Sequence, residues 1–148
     1  MKKRSLFLSI LGAGMVGLAL VQSAGAGFIQ GTRVRTEHPS PFHVSVSADG
    51  SMLFLANQSG HSVTFVDTRS RKVVGEVPVQ AQPEATVSTK DGRTLYVCNA
   101  ESDTVSVVDV ANKAVIKTIK VGDWPCSVKL SNDGSKAYVC CSGSMWNT

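Results

Sequence analysis

The sequence predicts an all-β fold assembled from repeated sheets of four antiparallel strands. Two observations predict it. A 42-residue repeat without gaps begins at Pro41, and each repeat consists of short apolar segments separated by polar turns. In the first of these segments Val44 and Val46 alternate with Ser45 and Ser47, the period of two that is typical of a half-buried strand. A helical spacing of three and four does not persist anywhere in residues 27–148.

The repeat is marked by identical or similar residues at every 42nd position. They are the prolines Pro41, Pro83 and Pro125, the pairs Asp49-Gly50, Asp91-Gly92 and Asp133-Gly134, the aromatic residues Phe54, Tyr96 and Tyr138, and the asparagines Asn57 and Asn99. The Asp-Gly pairs predict hairpin turns, because glycine adopts positive φ readily and aspartate bonds the backbone two residues on. The predicted strands of the first repeat are 44–47, 52–56, 63–66 and 73–79.

Four short antiparallel strands in roughly 40 to 50 residues form one blade of a β-propeller. The repeats place two blades at 41–82 and 83–124, and a partial third blade at 125–148. Because propellers close as rings of typically four to eight blades, the sequence predicts an incomplete ring. Its open apolar blade faces predict either self-association or a piece cut from a longer protein.

The family resemblance rests on three segments: Leu95–Asn99, Asp103–Asp109 and Pro41–Gly50. Through them the sequence resembles the YVTN family of β-propeller repeats, named for the Tyr-Val-x-Asn strand that is found here at Tyr96 to Asn99. The resemblance extends from Pro41 to about Ser144. It implies a propeller that is secreted or periplasmic.

The amino terminus has the three-part pattern of a secretory signal peptide. Lys2 to Arg4 form a basic start, Leu6 to Val21 form an apolar run, and Ala24 to Ala26 supply small residues. The pattern predicts a signal peptide over 1–26 and cleavage between Ala26 and Gly27. The apolar run is 16 residues long, shorter than the roughly 20 that a spanning helix needs. We therefore expect contact with a membrane only during export, and a periplasmic or secreted product.

The charge of the mature chain argues against nucleic acid as a partner. The full sequence carries a net charge of +4, but three of its 15 basic residues lie in the predicted signal peptide. Removing that segment leaves 12 basic and 11 acidic residues, a net charge of +1. The remaining segment 27–40 aligns loosely with an outer strand through Thr32 and Val34, and is assigned as an outer strand of a preceding blade.

The four cysteines leave three interpretations open. Cys98 and Cys140 occupy equivalent repeat positions and are expected to be buried thiols. A hairpin about residues 132–134 places Cys126 opposite Cys141, which predicts a Cys126–Cys141 disulfide in an oxidising compartment. The vicinal pair Cys140-Cys141 resembles the adjacent disulfide of some pyrroloquinoline-quinone dehydrogenases, which are themselves propellers.

The remaining chemical groups predict no metal, no cofactor and no catalytic residue. No Cys-x-x-Cys, His-x-His or Cys-x-x-Cys-His motif occurs. The repeated aspartates are expected to stabilise turns, because their spacing distributes them one to a blade. His43 is the candidate binding residue, since the start of an inner strand lies near the channel mouth where propellers bind ligands.

The sequence thus favours an exported, non-catalytic propeller module that binds an unidentified protein or small ligand. Two alternatives remain. The chain is a fragment of an enzyme, either a haem- or quinone-linked periplasmic oxidoreductase or a lactonase-like propeller, or it is a non-functional gene remnant. Propellers host many functions, so the fold alone does not choose among them.

Overall fold

The computed structural model of the chain describes residues 16–18, 32–34 and 40–143. Over this part the fold is all-β, as predicted, and it contains no helix. Consequently, nothing in the described ranges meets the length and apolarity that a membrane-crossing helix requires. The predicted cleavage site at Ala26 and Gly27 lies outside these ranges, as do residues 144–148.

Twelve strands make up the described structure. In chain order they are β1 (Val16–Leu18), β2 (Thr32–Val34), β3 (Pro41–Val46), β4 (Met52–Asn57), β5 (Ser62–Asp67), β6 (Lys72–Pro78), β7 (Pro83–Ser88), β8 (Thr94–Asn99), β9 (Thr104–Asp109), β10 (Ala114–Lys120), β11 (Pro125–Leu130) and β12 (Ala137–Cys141).

The strands assemble into the sheets that the repeat predicts. One antiparallel sheet has the order β3-β4-β5-β6, and a second has the order β10-β9-β8-β7. The third repeat contributes the hairpin β11-β12. Each sheet has the meandering topology of a propeller blade, and the described sheets form an incomplete ring. We call the two complete sheets the first and second blades, and the hairpin the partial third blade.

The two amino-terminal strands form a separate two-stranded sheet, in which β1 pairs with β2. β1 falls within the predicted signal peptide, and β2 falls within the segment assigned as an outer strand. The cleavage that would remove β1, and the membership of β2 in a blade, stay predictions.

Each hairpin between the first two strands of a repeat is closed by the predicted Asp-Gly turn. In the first blade Asp49 Oδ1 accepts hydrogen bonds from Ser47 Oγ at 2.6 Å and from the Ser51 backbone N–H at 3.1 Å. Gly50 has a φ of 72°, in the left-handed region that glycine adopts without strain. The turns at Asp91 and Asp133 repeat this arrangement. The hydrogen bonds lower the pKa of Asp49 and of Asp133 to about 2.

The core lies between neighbouring blades because alternate residues of a strand face opposite sides of its sheet. One cluster joins Phe54, Val63, Phe65 and Val77 of the first blade to Leu95, Val97 and Val108 of the second. Within it the rings of Phe54 and Phe65 meet edge to face, with centroids 5.3 Å apart. The opposite side of the second blade packs Ala85, Cys98 and Val105 against Val128 of the partial third blade.

The open face of the partial third blade shows what an adjacent blade normally covers. Phe54, Tyr96 and Tyr138 are equivalent in the repeat and point toward the next blade. Phe54 is fully buried by the second blade. By contrast, the side chain of Tyr138 is 60% exposed. The predicted open blade face is therefore present in the described structure.

Candidate functional site

The candidate site is a polar cluster between the inner strands of the two complete blades, β3 and β7. It consists of His43 and Ser45 on β3 and Thr86 on β7. His43 and Ser45 pair with Ala56 and Phe54 of β4, and Phe54 faces the second blade. Both polar side chains therefore face Thr86 across the seam between the blades.

Hydrogen bonds connect the three side chains of this cluster. The hydroxyl oxygens of Ser45 and Thr86 are 2.6 Å apart. Thr86 Oγ1 is also 3.3 Å from His43 Nδ1. Because a hydroxyl both donates and accepts, Thr86 links the imidazole to Ser45 in either tautomer. The cluster is thus a short chain of exchangeable protons at the inner edge of the interblade seam.

The surroundings of His43 favour its neutral form. Partial burial is the main cause that lowers the pKa of the imidazole, and the positive charge of Lys129 on β11 lowers it further. A neutral imidazole offers one nitrogen that donates and one that accepts a hydrogen bond. The neutral imidazole can therefore donate to and accept from a small polar ligand.

The lowered pKa of His43 predicts that the folded chain loses stability as the pH falls below about 6.5. The unfolded state takes up a proton near the ordinary value of 6.5, whereas the folded state takes it up only at lower pH. More protons are then bound by the unfolded state, and acid favours unfolding. We expect thermal unfolding between pH 5.0 and 8.0 to show this loss.

The matched variants for this prediction are His43→Gln and His61→Gln. The first is expected to flatten the pH dependence in that range. The second changes the exposed His61, whose Nδ1 accepts a bond from the Gln82 backbone N–H at 3.1 Å, and measures how much of the pH dependence comes from a histidine outside the cluster. An unchanged pH dependence in His43→Gln contradicts the assignment.

A second feature of the inner strands is a β-bulge near the start of each one. The register shifts fall at Phe42, Glu84 and Cys126, which are equivalent positions of the repeat. Bulges re-aim side chains and are common beside functional sites. At these positions the three blades carry an aromatic ring, a carboxylate and a thiol. Gln58 Nε2 donates to Glu84 Oε1 at 2.9 Å and holds that carboxylate.

Ser45 and Thr86 in the site, and Glu84 in the neighbouring bulge, were not predicted from the sequence. The repeat contains a usable signal for Glu84, since the residue type at its position changes from blade to blade. The signal for the hydroxyl pair is absent from the repeat, because Ser45 and Thr86 are not equivalent positions. They meet only because neighbouring blades present opposite faces to one seam.

The four cysteines are all free thiols, and they differ in how far they are buried. Cys98 is fully buried, as predicted, and burial is the main cause that raises its pKa to about 12. Its repeat equivalent Cys140 was expected to be buried but is exposed, because no further blade covers that face. Pro125, rather than Cys126, is the partner of Cys141 in the strand register. The Cys126–Cys141 disulfide stays a prediction.

The other predicted chemical groups are placed as follows. The turn aspartates are occupied by hydrogen bonds within their own turns, as the repeat predicts. His38 lies outside the described residues. In the part that the structure describes, no three His, Cys, Asp or Glu side chains come together as a metal site.

Comparison with known proteins identifies similar chains. No family model matches. Over 83 residues, 54% of this chain, the sequence is 62% identical to hydrazine synthase subunit beta of Kuenenia stuttgartiensis. A solved structure of Kuenenia stuttgartiensis hydrazine synthase matches with a TM-score of 0.72 and 65% sequence identity over 82% of this chain. The chain shares the fold of that structure.

The similarity covers one part of longer proteins. This chain spans 22% of the curated hydrazine synthase subunit beta and 34% of the chain in the solved structure. Even so, the finding corrects the functional prediction. The expectation of a non-catalytic binding module is wrong, because the similar protein is a subunit of an enzyme. The prediction failed because the two and a half blades of this chain contain no recognisable catalytic motif.

Proposed function

We propose that this chain is a section of a β-propeller subunit of an enzyme that forms hydrazine. The observation that carries the proposal is the 62% identity to hydrazine synthase subunit beta. The similarity in fold to the solved hydrazine synthase extends this support beyond the aligned segment, because it covers 82% of the chain. The blades of the present chain then continue into further blades of the same ring.

The open surfaces of the described structure support this assignment. Tyr138 is exposed, while its equivalents Phe54 and Tyr96 pack in cores beside a following blade. At the other end of the blade series, Phe42, Val44 and Val46 of β3 are between 50% and 61% exposed. Leu53, Leu55 and Val66 of the same blade are buried. Apolar surface at both ends of a blade series is what a section of a larger propeller presents. We expect the protein partners of this chain to be the other subunits of the enzyme.

The cluster of His43, Ser45 and Thr86 is our candidate for contact with a small polar ligand in that enzyme. Ammonia-like nitrogen compounds donate and accept hydrogen bonds, as do the hydroxyl groups and the neutral imidazole of the cluster. The cluster also lies on inner strands, where a propeller has its central channel. No described residue is assigned a role in forming the nitrogen–nitrogen bond of hydrazine.

The proposal includes membership of the YVTN repeat family and export to the periplasm or beyond. The repeat residues Tyr96 to Asn99 support the first, and the pattern of residues 1–26 supports the second. The mature protein is expected to yield a peptide that begins at Gly27 and ends at Arg33 after digestion with trypsin. A digest that contains a peptide spanning the bond between Ala26 and Gly27 in the mature protein contradicts cleavage there.

The test of the proposed function follows the chain through purification of a hydrazine-forming activity. Native extract of the source cells is separated by size and then by charge. Hydrazine formation is measured by trapping the product with an aromatic aldehyde. In the same fractions, mass spectrometry quantifies the tryptic peptide 73–90, which follows Lys72 and ends at Lys90. We expect activity and peptide to rise and fall together through both separations.

Immunodepletion gives the decisive arm of this experiment. An antibody raised against the sequence 40–143 is expected to remove the peptide and the hydrazine-forming activity together. A matched antibody against an unrelated exported protein serves as the control and is expected to remove neither. Activity that stays in solution after the peptide has been removed overturns the proposal.

A further inference from the structure

Three of the four cysteines lie in the hairpin β11-β12, and they do not all lie on the same face of it. In the register Ser127 pairs with Cys140, and Pro125 pairs with Cys141. Alternate residues of a strand point to opposite faces, so Cys140 and Cys141 lie on opposite sides of the hairpin. Cys126 lies in the bulge between the two pairs.

The bulge brings Cys126 beside Cys140. The thiol of Cys126 donates to the Cys140 carbonyl oxygen, with sulfur and oxygen 3.5 Å apart. After desolvation, the next causes that raise the pKa of Cys126 are a hydrogen bond with the Cys140 side chain and the charge of that side chain. The Cys126 thiol therefore lies in contact with Cys140. Cys140 is exposed and Cys126 is half-buried, so a small oxidant reaches the pair.

Cys141 lies on the other side of the hairpin, which faces the second blade. A Cβ atom placed on Gly122 would lie 3.2 Å from Cys141 Sγ, so this sulfur packs against the Gly122 backbone. After desolvation, the charges of Cys141 and of Cys126 also contribute to the raised pKa of Cys98. Cys98 itself is fully buried, and with a pKa of about 12 it is almost entirely protonated at neutral pH and a poor nucleophile.

We propose that Cys126 and Cys140 form a disulfide bond across the hairpin β11-β12, and that the adjacent Cys141 stays a thiol. The proposal is an alternative to the Cys126–Cys141 pairing expected from the sequence, and it does not depend on the proposed enzyme. With a low-molecular-weight disulfide as oxidant, one thiolate attacks it and releases one thiol. The second thiolate then attacks the mixed disulfide and releases the other thiol, so both chain sulfurs are oxidised and one disulfide is reduced.

The pairing has a consequence for the hairpin at the edge of the described ring. β11 and β12 pair only with each other within the described residues. Their open face carries Tyr138 and Lys129 in addition to Cys140. A covalent link beside this face holds the two strands in register without help from a following strand.

The experiment maps disulfides in the full-length chain after exposure to oxidised glutathione. Free thiols are alkylated with iodoacetamide, and trypsin then cleaves after Lys120, Lys129 and Lys136. Cys126 is released in peptide 121–129, and both Cys140 and Cys141 are released in peptide 137–148. We expect these two peptides to be joined. Fragmentation between residues 140 and 141 is expected to find the alkyl group on Cys141.

Two serine variants provide the matched comparison. Cys141→Ser is expected to retain the linked peptides at the wild-type level, whereas Cys140→Ser is expected to lose at least tenfold. The same oxidation in concentrated urea shows the mixture that an unfolded chain produces. In the wild-type protein, a dominant Cys126–Cys141 or Cys140–Cys141 disulfide overturns the proposal. The proposal is also overturned if the folded protein forms no disulfide under conditions in which the urea-unfolded chain forms one. Because the wild-type fragmentation decides the pairing alone, a variant that fails to fold does not affect the result.

Discussion

Replacing Phe54 with alanine is expected to destabilise the chain by about 3–5 kcal/mol, the usual cost of truncating a buried aromatic residue. Phe54 is fully buried between the first and second blades and meets Phe65 edge to face at 5.3 Å. The truncation removes apolar contacts on both sides of this seam. Since a whole domain is stable by only about 5–15 kcal/mol, the variant is expected to lose a large share of the chain's free energy of unfolding.

The repeat supplies a matched control for this substitution. Tyr138 occupies the same repeat position, but its side chain is 60% exposed on the open face. Tyr138→Ala is therefore expected to change the free energy of unfolding by less than about 0.5 kcal/mol, as surface substitutions usually do. Urea unfolding followed by tryptophan fluorescence and circular dichroism measures both variants. Equal losses in the two variants contradict the blade packing described above.

Replacing Asn99 with alanine is expected to cost about 1–3 kcal/mol, the penalty for leaving buried polar groups without their partner. Asn99 is fully buried, and its Nδ2 donates to Thr104 Oγ1 at 3.1 Å and to Ser106 Oγ at 2.9 Å. The substitution removes both hydrogen bonds and leaves a small cavity. The Oδ1 atom of Asn99 is buried without a partner in the described structure. Removing it offsets part of the loss and holds the cost below that of Phe54→Ala.

The hydrogen bond between Asn99 and Ser106 also predicts non-additive behaviour. The double variant Asn99→Ala with Ser106→Ala is expected to lose less stability than the sum of the two single variants, because each single variant leaves the other group unpaired. Asn132→Ala, in an exposed turn, serves as the control and is expected to be neutral. Strict additivity in urea unfolding contradicts the network.

The all-β architecture of four-stranded sheets was predictable from sequence because it depends on local chemistry. The alternation of Val44 and Val46 with serines predicts a strand, and the Asp49-Gly50 pair predicts the turn that follows it. Both are present in the structure, although β3 begins at Pro41, before the alternation starts. The 42-residue period places each such feature three times, so the blades follow from the repeat.

The candidate site was only partly predictable. His43 was selected because it stands at the start of an inner strand, whereas its partners Ser45 and Thr86 belong to different blades and different repeat positions. No pattern within one repeat relates such residues. The function was predicted wrongly for a related reason: a scaffold repeat reports how the blades fold, and the similarity to an enzyme subunit lies in residues that carry no catalytic motif.

The sequence by itself determined the repeat, the strands, the turns and the incomplete ring, since periodicity and turn residues act over a few neighbouring positions. The tertiary structure decided which equivalent residues are buried, which hydroxyl meets His43, and which cysteine lies beside Cys126. Phe54 and Tyr138 differ because one has a blade beside it and the other has none. Cys140 and Cys141 differ because one bulge in β11 moves Cys126 toward the first of them. Such outcomes depend on how sheets stack and on a single-residue shift in register, which places side chains on one face or the other.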